Sequence, residues 1–223
     1  MQLTHLGHAA VLIEMADQRV LIDPGTFSNA LWADLPRDLD AIVVTHQHPD
    51  HLHVERLPEL LAANPQAQLI TDPGSAELLR KKGIDALDHA GGVREVGAVR
   101  LTPVGQTHAL IHPDIPRIPN VGVRVEADGE PVLYHPGDAL DAEPEGQESR
   151  VDVLLFPLNA PWQRSREMTG FLRRYDAPHA VPIHDGLLRD TGRAVYLGQA
   201  ENLGGEHTRI HDLAGERSES FTC

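Results

Sequence analysis

The chain has 223 residues, a formal net charge of −14 at pH 7 and 41% hydrophobic residues. It is long enough to bury a hydrophobic core without covalent cross-links. Its one cysteine, Cys223, excludes an intrachain disulfide, and we expect no thiolate metal ligand. The acidic balance argues against a nucleic-acid partner and an anionic membrane surface, because phosphate-rich partners are bound by basic surfaces.

The first residues carry no basic segment followed by an apolar run, and no stretch approaches the length of a membrane-spanning helix. We therefore expect a cytoplasmic protein with no membrane insertion. The sequence contains 14 histidines, which is many for a chain of this length. These histidines are the compositional feature that a function has to explain.

Short apolar and β-branched runs predict that the chain begins with antiparallel strands. The predicted strands of this half are 2–6, 9–14, 19–22, 41–45 and 67–71. Residues 26–40 are irregular and predict a surface loop. Helices are predicted over 53–61, where Pro58 would introduce a kink, and over 73–82. Strands that alternate with helices are typical of an α/β fold.

The second half repeats the order of strands followed by helices. Asp128-Gly129 favours a tight turn and predicts a hairpin. The further predicted strands are 93–104, 121–126, 131–134, 151–158, 180–183 and 208–213, and the predicted helices are 165–175 and 191–203. Residues 109–119 and the acidic residues 139–150 predict loops. No linker divides the chain, so we expect a single domain over residues 1–223 with a loose two-part organisation.

The strongest functional signal is a polar segment that directly follows the apolar run 41–44. It contains four side chains that can bind a metal within six positions: His46, His48, Asp50 and His51. Imidazole and carboxylate are ligands that zinc, manganese and iron accept. The alternative is that these histidines are unrelated residues of a surface loop. Their close spacing directly after a buried strand disfavours this alternative. Asp50 could instead cap a helix that begins near Leu52, and its position does not separate the two roles.

Three later strands also end at a candidate ligand, namely His108, Asp138 and His184. Sites in α/β folds are assembled at the carboxyl ends of strands, so we expect these side chains to meet the histidine segment. His112 competes with His108, whose position directly after a strand favours it. Asp138 could alternatively be a turn residue after Pro136-Gly137. The sequence thus predicts one metal site at several strand ends.

These motifs, together with the opening residues 6–13 and 21–24, resemble the metallo-β-lactamase superfamily from Leu3 to about Leu213. The similarity is to the branch that contains L-ascorbate-6-phosphate lactonase and many metal-dependent hydrolases. It implies an αββα sandwich, in which two mixed β-sheets lie face to face and helices cover their outer faces. This fold agrees with the loose two-part organisation of the predicted elements.

The resemblance also implies two divalent metal ions, Zn²⁺ in the first place and Mn²⁺ or iron as alternatives. One ion would be bound by His46, His48 and His108, the other by Asp50, His51 and His184, and Asp138 would bridge them. Asp50 would also be the catalytic residue, since it could orient the nucleophile or carry its proton. Asp23 would orient a ligand, and His8 and His135 would support a ligand or contact the substrate. For His8, a turn histidine without a role is an equal alternative.

The implied activity is hydrolysis of a small-molecule ester, lactone or phosphodiester by metal-activated water. β-Lactam hydrolysis is not favoured, because residues 105–108 read Gly-Gln-Thr-His where lactamases tend to carry Thr-Pro-Gly-His. The acidic surface disfavours a nuclease. The alternative is a non-catalytic or redox metal-binding protein, although redox relatives usually replace one imidazole of this set by a carboxylate and add a flavin domain.

Substrate choice is expected to depend on the loops 24–40, 109–120 and 159–167. Trp162 could line a pocket there and Arg117 could meet an anionic group of the substrate. A packed aromatic side chain and a solvated charge are the commoner roles of such residues. A homo-oligomer is left open, because assemblies occur in this branch of the superfamily.

Overall fold

Two seven-stranded β-sheets contain the named strands of the computed structural model, which describes residues 1–141, 150–215 and 217–223. The strands of the first half are β1 (Gln2–His5), β2 (Val11–Met15), β3 (Gln18–Ile22), β4 (Ala41–Val44), β5 (Gln68–Thr71) and β6 (Leu87–Asp88). The helices of this half are α1 (Asn29–Ala33), α2 (Leu57–Ala63) and α3 (Pro73–Arg80).

The second half supplies the other sheet. Its strands are β7 (Arg94–Val96), β8 (Val99–Val104), β9 (Gly122–Glu126), β10 (Leu133–His135), β11 (Val153–Pro157), β12 (His179–Ile183) and β13 (Arg209–Ile210), and β14 (Ser218–Ser220) follows them. Its helices are α4 (Ser165–Tyr175) and α5 (Asp190–Leu203). No helix within these described ranges is long and apolar enough to cross a membrane.

The two sheets follow the same order of pairing. The first has the order β14-β1-β2-β3-β4-β5-β6 and the second the order β13-β12-β11-β10-β9-β8-β7. Counted from β14 in the first sheet and from β7 in the second, three antiparallel pairings are followed by three parallel pairings. The predicted two-part organisation therefore corresponds to two mixed sheets of similar construction, with β14 returning to the edge of the first sheet beside β1.

Three layers of buried apolar side chains hold the sandwich together. The central layer lies between the sheets and includes Ile13, Val43, Val123 and Leu155. A second layer joins α1, α2 and α3 to the outer face of the first sheet, and a third joins α4 and α5 to the outer face of the second. Strand β4 is buried on both faces, which explains why it reads as an uninterrupted apolar run. The αββα sandwich is confirmed.

Four local predictions need correction. The loop predicted over 26–40 contains the short helix α1. Pro58 does not kink a helix, because α2 begins at Leu57 and the proline occupies its first turn, where no amide donor is needed. Asp50 caps no helix, since Arg56 precedes α2. The short strands β6 and β14 were not predicted. Residues 142–149 of the predicted loop 139–150 lie outside the described residues.

Candidate metal centre

The histidine segment follows β4 as a loop that lies against the loop after β3. Gly25 is the point of closest approach, because a Cβ atom built there would lie 1.7 Å from the Asp50 carbonyl oxygen. The Thr26 amide donates to the Pro49 carbonyl over 2.8 Å, and the His53 amide donates to the Pro24 carbonyl over 2.9 Å. These backbone contacts fix the conformation of the histidine segment.

The structure brings all seven predicted ligands together at the ends of four strands. They fall into two neighbouring groups, in each of which the potential ligand atoms lie within 4.8 Å of one another. The first group is His46, His48, His108 and Asp138, and the second is His8, Asp50, His51 and His184. The second group thus also contains His8, for which the resemblance implies only a supporting or substrate-contacting role.

Three of the imidazoles are oriented by acceptors on their Nδ1 atoms. His51 donates to Asp23 Oδ2 over 2.6 Å, His108 to the Ala109 carbonyl over 2.7 Å and His184 to the Asn159 carbonyl over 2.7 Å. Since Nδ1 carries the proton in each neutral ring, Nε2 carries a lone pair directed into the site. This tautomer is the one a metal ligand requires.

His46 reaches the same state through Thr45. The Thr45 hydroxyl donates to Asp23 Oδ2 over 2.7 Å, so its oxygen accepts from His46 Nδ1 over 3.1 Å. His46 Nε2 therefore also carries a lone pair, and it lies 3.1 Å from Nδ1 of His48. Two imidazole nitrogens at this distance need a proton or a cation between them. Asp23 thus orients two imidazoles, one directly and one through a hydroxyl group.

Asp138 lies between the two groups. Its Oδ1 is 3.4 Å from His51 Nε2, and its Oδ2 is 3.4 Å from His108 Nε2. Asn120 Oδ1 accepts from the Asp138 amide over 2.9 Å, and Trp162 Nε1 donates to Oδ2 over 2.9 Å. One carboxylate therefore faces both groups and is held by a backbone and a side-chain contact.

The chemistry of the buried atoms fits metal ions. Within the described residues, the buried polar atoms without a hydrogen-bond partner include Nε2 of His51, His108 and His184 and Oδ1 of Asp138. Buried polar atoms are rarely left unpaired in folded proteins, because their desolvation costs about 1–3 kcal/mol each. All four point into the same small volume, and all four are metal-ligand atoms. The donor set of imidazole and carboxylate suits Zn²⁺, Mn²⁺ and iron.

The electrostatics of the site also favour positive charge. Burial alone would lower the pKa of His51, but the Asp138 and Asp23 carboxylates outweigh it and raise that pKa well above its ordinary value. For His184, burial is likewise outweighed by Asp138 and Asp50, and the pKa rises to about 9. Burial opposes ionisation of Asp138, yet the nearby imidazoles hold its pKa well below the usual range. The carboxylates thus favour a positive charge at these imidazoles, which either a proton or a metal ion could supply.

Three of the seven described non-glycine residues with a positive φ angle lie around the site. Asp23, His184 and His8 have positive φ angles of 52°, 60° and 53°. Residues other than glycine adopt this left-handed conformation at a cost of roughly 1–2 kcal/mol. At three positions around one site, this cost indicates that the surrounding contacts select the conformation. The His184 amide donates to the His8 carbonyl over 2.8 Å, which joins two of the three positions.

The remaining predicted residues take different positions. His112 is exposed and belongs to neither group, whereas His108 lies in the site as expected. His135 is buried, its Nε2 contacts the Ala9 carbonyl, and it is 3.8 Å from Asp23, so its contact with the site is indirect. Arg117 donates to the His108 carbonyl over 2.6 Å and supports the loop that follows.

Sequence reasoning missed the roles of three residues. Thr45 directly precedes His46 in the sequence, but this position only weakly indicates that its hydroxyl links His46 to Asp23. Trp162 was weighed as a pocket residue, but its donation to a ligand carboxylate carries no sequence signal. Asn120 follows an irregular proline-rich loop, where nothing in the sequence indicates that its side chain accepts from Asp138.

An open cavity of about 830 Å³ lies beside the site. It is lined on one side by Leu110 and Ile111 and on the other by Trp162, Arg166 and Phe171. Trp162 connects it to the ligands through its contact with Asp138. Two of the loops that the sequence predicts for substrate choice therefore form this cavity.

Known sequences are similar to this chain over most of its length. Residues 2–184 match the family described as the beta-lactamase superfamily domain. Protein Rv0786c of Mycobacterium tuberculosis is 41% identical over 204 residues, which cover 91% of this chain and 92% of the relative. A UPF0173 metal-dependent hydrolase of Methylobacterium nodulans is 31% identical over 205 residues, which cover 83% of this chain and 85% of the relative.

A solved structure is similar in fold. The metallo-beta-lactamase fold protein YhfI from Bacillus subtilis superposes with a TM-score of 0.71. The match covers 98% of this chain and 99% of that chain at 15% sequence identity. At this identity the likeness concerns the arrangement of the two sheets and their helices.

Proposed function

This chain belongs to the metallo-β-lactamase superfamily, and from that premise we propose that it is a metal-dependent hydrolase that uses two divalent ions, Zn²⁺ first, on a small-molecule ester or lactone. The position of Asp138 carries the proposal. Its two oxygens face ligand atoms of both groups at 3.4 Å, as a carboxylate that bridges two cations must. A single-ion site would need no carboxylate in this position.

The fit of the donor atoms supports the assignment of the ligands. His46, His48 and His108 would hold one ion, Asp50, His51 and His184 the other, and Asp138 both. When bound, the ions supply Lewis-acid chemistry, since they lower the pKa of water toward neutrality and polarise the bond that is cleaved. The Nδ1 partners of the imidazoles keep the ligand lone pairs aimed at the ions.

Asp50 is the residue best suited to handle the proton of the attacking water. Its side chain is 21% exposed, whereas the Asp138 side chain is 4% exposed, so water and substrate reach Asp50 first. Burial would raise the pKa of Asp50, but hydrogen bonds from His184 and His8 outweigh it and keep the group ionised. An ionised carboxylate can orient a water molecule, accept its proton and return that proton to the leaving group.

The cavity beside Trp162 supports a substrate with an apolar part. Leu110 and Ile111 are exposed beside this cavity, and Ile115 is exposed further along the same loop. Exposed apolar side chains next to a polar site are typical of ligand-binding surfaces. This apolar wall favours an acyl chain or a lactone ring, whereas Arg164 and Arg166, which also line the cavity, would suit the anionic group of a phosphodiester. A phosphodiester is the competing substrate class in the experiment.

The test measures metal content and hydrolysis together. Purified protein is reconstituted with Zn²⁺ or Mn²⁺, its metal is counted by elemental analysis, and p-nitrophenyl esters of increasing chain length are compared with bis-p-nitrophenyl phosphate. We expect two equivalents of metal and faster turnover of the esters. The double variant His46→Ala/His48→Ala should lose both metal and hydrolysis.

The double variant His112→Ala/His207→Ala is the matched control, because it removes two exposed imidazoles outside both ligand groups. It should retain metal and activity. Full activity in His46→Ala/His48→Ala would overturn the ligand assignment. Two bound equivalents without hydrolysis of either substrate class would favour a non-catalytic metal-binding protein, and preference for the phosphodiester would replace the ester assignment.

A further inference from the structure

His8 stands apart from the other imidazoles of the site in the way its ring is bonded. Its Nδ1 lies 3.0 Å from the Gly186 amide nitrogen, which donates to it, and its Nε2 lies 3.1 Å from Asp50 Oδ2. From these contacts we propose that His8 is not a metal ligand but a positioning residue, whose Nε2–H holds the Asp50 carboxylate in place. The inference rests on the proposed two-ion site and concerns how one of its ligands is fixed.

The Gly186 amide determines which nitrogen of the His8 ring carries the proton. A backbone amide is always a donor, so Nδ1 of His8 must present its lone pair to it. The single proton of the neutral ring is then on Nε2. A protonated ring would place a second N–H group opposite the Gly186 amide, so this contact requires the neutral ring. An Nε2 atom that carries a proton cannot bind a metal, but it can donate to a carboxylate.

The ligand imidazoles show the opposite arrangement. His51, His108 and His184 each donate from Nδ1 to an oxygen acceptor, and their Nε2 atoms carry lone pairs. If His8 Nε2 bound an ion, its proton would move to Nδ1 and face the donor hydrogen of Gly186. The proximity of His8 to the second group therefore comes from its bond to Asp50.

Asp50 needs such a partner more than the other ligands do. It is the most solvent-exposed carboxylate of the site, at 21% of its side chain, whereas the His8 side chain is fully buried. His184 Nε2 also lies 3.3 Å from Asp50 Oδ2, but a His184 ring that bound an ion through Nε2 would have no proton there to donate to Asp50. A buried donor on Oδ2 limits the rotation of the carboxylate and so reduces the entropy lost when it binds an ion.

His8 is itself fixed from three sides. Its carbonyl accepts from the His184 amide over 2.8 Å and from His5 Nε2 at 3.1 Å, and the Phe27 ring packs on its edge with ring centroids 5.2 Å apart. A Cβ atom built on Gly186 would lie 3.0 Å from His8 Nδ1, so a side chain at position 186 would crowd the ring. These contacts explain why a strained backbone is retained at His8.

The experiment compares His8→Gln with His8→Glu. The two side chains have the same size and meet the same left-handed backbone, but the amide of Gln can donate to Asp50 and the carboxylate of Glu cannot. Zn²⁺ affinity is measured by competition with a chromophoric chelator, and the visible spectrum of Co²⁺-loaded protein reports the ligand set. His8→Leu is a second variant that lacks a donor without adding charge.

We expect His8→Glu and His8→Leu to weaken one of the two Zn²⁺ equivalents about 10–100-fold, as typical for loss of a group that orients a ligand. His8→Gln should stay within a few-fold of the wild-type affinity, and its Co²⁺ spectrum should be unchanged. His89→Gln is the matched control, because His89 is a buried histidine that belongs to neither ligand group.

The opposite ranking, with His8→Glu retaining affinity and His8→Gln losing it, would identify His8 as a ligand and overturn the inference. Equal behaviour of both variants would overturn it too, because the donor would then have no effect. Thermal unfolding of the metal-free variants separates a folding defect from a loss of affinity. A wild-type protein that bound no metal would refute the proposed function, whereas the variant outcomes leave that function intact.

Discussion

His51 donates its Nδ1–H to Asp23 Oδ2 over 2.6 Å, and both side chains are fully buried. The same carboxylate accepts from the Thr45 amide over 2.8 Å and from the Thr45 hydroxyl over 2.7 Å, and that hydroxyl accepts from His46. A single acidic side chain in the loop after β3 thus determines the tautomer of one imidazole in each ligand group. Asp23 belongs to neither ligand group and yet orients an imidazole of each.

We expect Asp23→Asn to weaken binding of Zn²⁺ about 10–100-fold. The Asn amide group would face a donor, either His51 or Thr45, and would release that partner. Asn tolerates the left-handed backbone of position 23, so added strain does not complicate the result. The measurement is chelator competition. Asp40→Asn is the control, because Asp40 also accepts from a backbone amide, that of Arg19, away from the site. Unchanged affinity in Asp23→Asn would contradict the relay.

Trp162 should report metal binding through its fluorescence. Its Nε1 donates to Asp138 over 2.9 Å and its ring lies 6.0 Å from that of His108, so an ion at these ligands changes its surroundings. The chain has two tryptophans. We expect Zn²⁺ to alter the emission of the wild type and of Trp32→Phe but not that of Trp162→Phe.

Trp162→Phe should also lower Zn²⁺ affinity about tenfold, because it removes the donor that orients the Asp138 carboxylate. Trp32 is the matched control, since its Nε1 donates to the Gly25 carbonyl and not to a ligand. A response to Zn²⁺ that persisted in Trp162→Phe and vanished in Trp32→Phe would refute the assignment.

Arg193 of α5 stabilises the segment after His184. Its guanidinium donates to Asp185 over 2.7 Å and to Asp212 over 2.7 and 2.9 Å, and its side chain is 16% exposed. We expect Arg193→Gln to lower the free energy of unfolding by about 2 kcal/mol, measured by urea denaturation of the metal-free protein. Lys81→Gln, which removes an exposed pair with Glu77 at 2.8 Å, should lower it by less than about 0.5 kcal/mol. Equal effects would show that the bridge to Asp185 and Asp212 contributes little.

Asp72 should make stability depend on pH. It caps α3 by accepting from the amides of Gly74 and Ser75, and burial raises the pKa of its carboxyl from 3.8 to about 6. The folded state therefore binds the proton more tightly than the unfolded state. This contribution to stability is complete below about pH 4 and is lost as the pH rises through 6.

The variant Asp72→Asn lacks this titration and can still cap the helix. Relative to the wild type, its free energy of unfolding should therefore increase between pH 4.5 and pH 7 by about 2 kcal/mol, since the pKa of Asp72 is raised from 3.8 to about 6. Urea denaturation in the presence of a chelator at both pH values removes the contribution of metal binding. A wild-type-to-variant difference that is the same at both pH values would contradict the raised pKa.

The parts of the site that lie on strand ends could be predicted from the sequence. An apolar run in the sequence indicates a buried strand, and the polar residue that follows the run lies at the carboxyl end of that strand. That reasoning selected His108 over His112, and the structure places His108 beside the other candidate ligands. The assignment of each residue to an ion stays a prediction that the metal measurements test.

The parts that depend on long-range contacts could not be predicted. No local pattern indicates that Trp162 reaches Asp138 or that Gly186 sets the tautomer of His8, because each contact joins segments that are distant in sequence. Short elements were missed for a related reason. The five residues of α1 and the three of β14 are stabilised by the sheet they pack on or pair with, and their own propensity is weak.

Each ligand group draws residues from both sheets. The first combines His46 and His48 with His108 and Asp138, and the second combines Asp50 and His51 with His184. An ion in either group would therefore cross-link the two halves of the chain in the same sense as a disulfide between distant residues. Such a cross-link opposes above all the movements that separate one sheet from the other. Metal loading and mechanical cohesion of the sandwich are then two aspects of the same bonds.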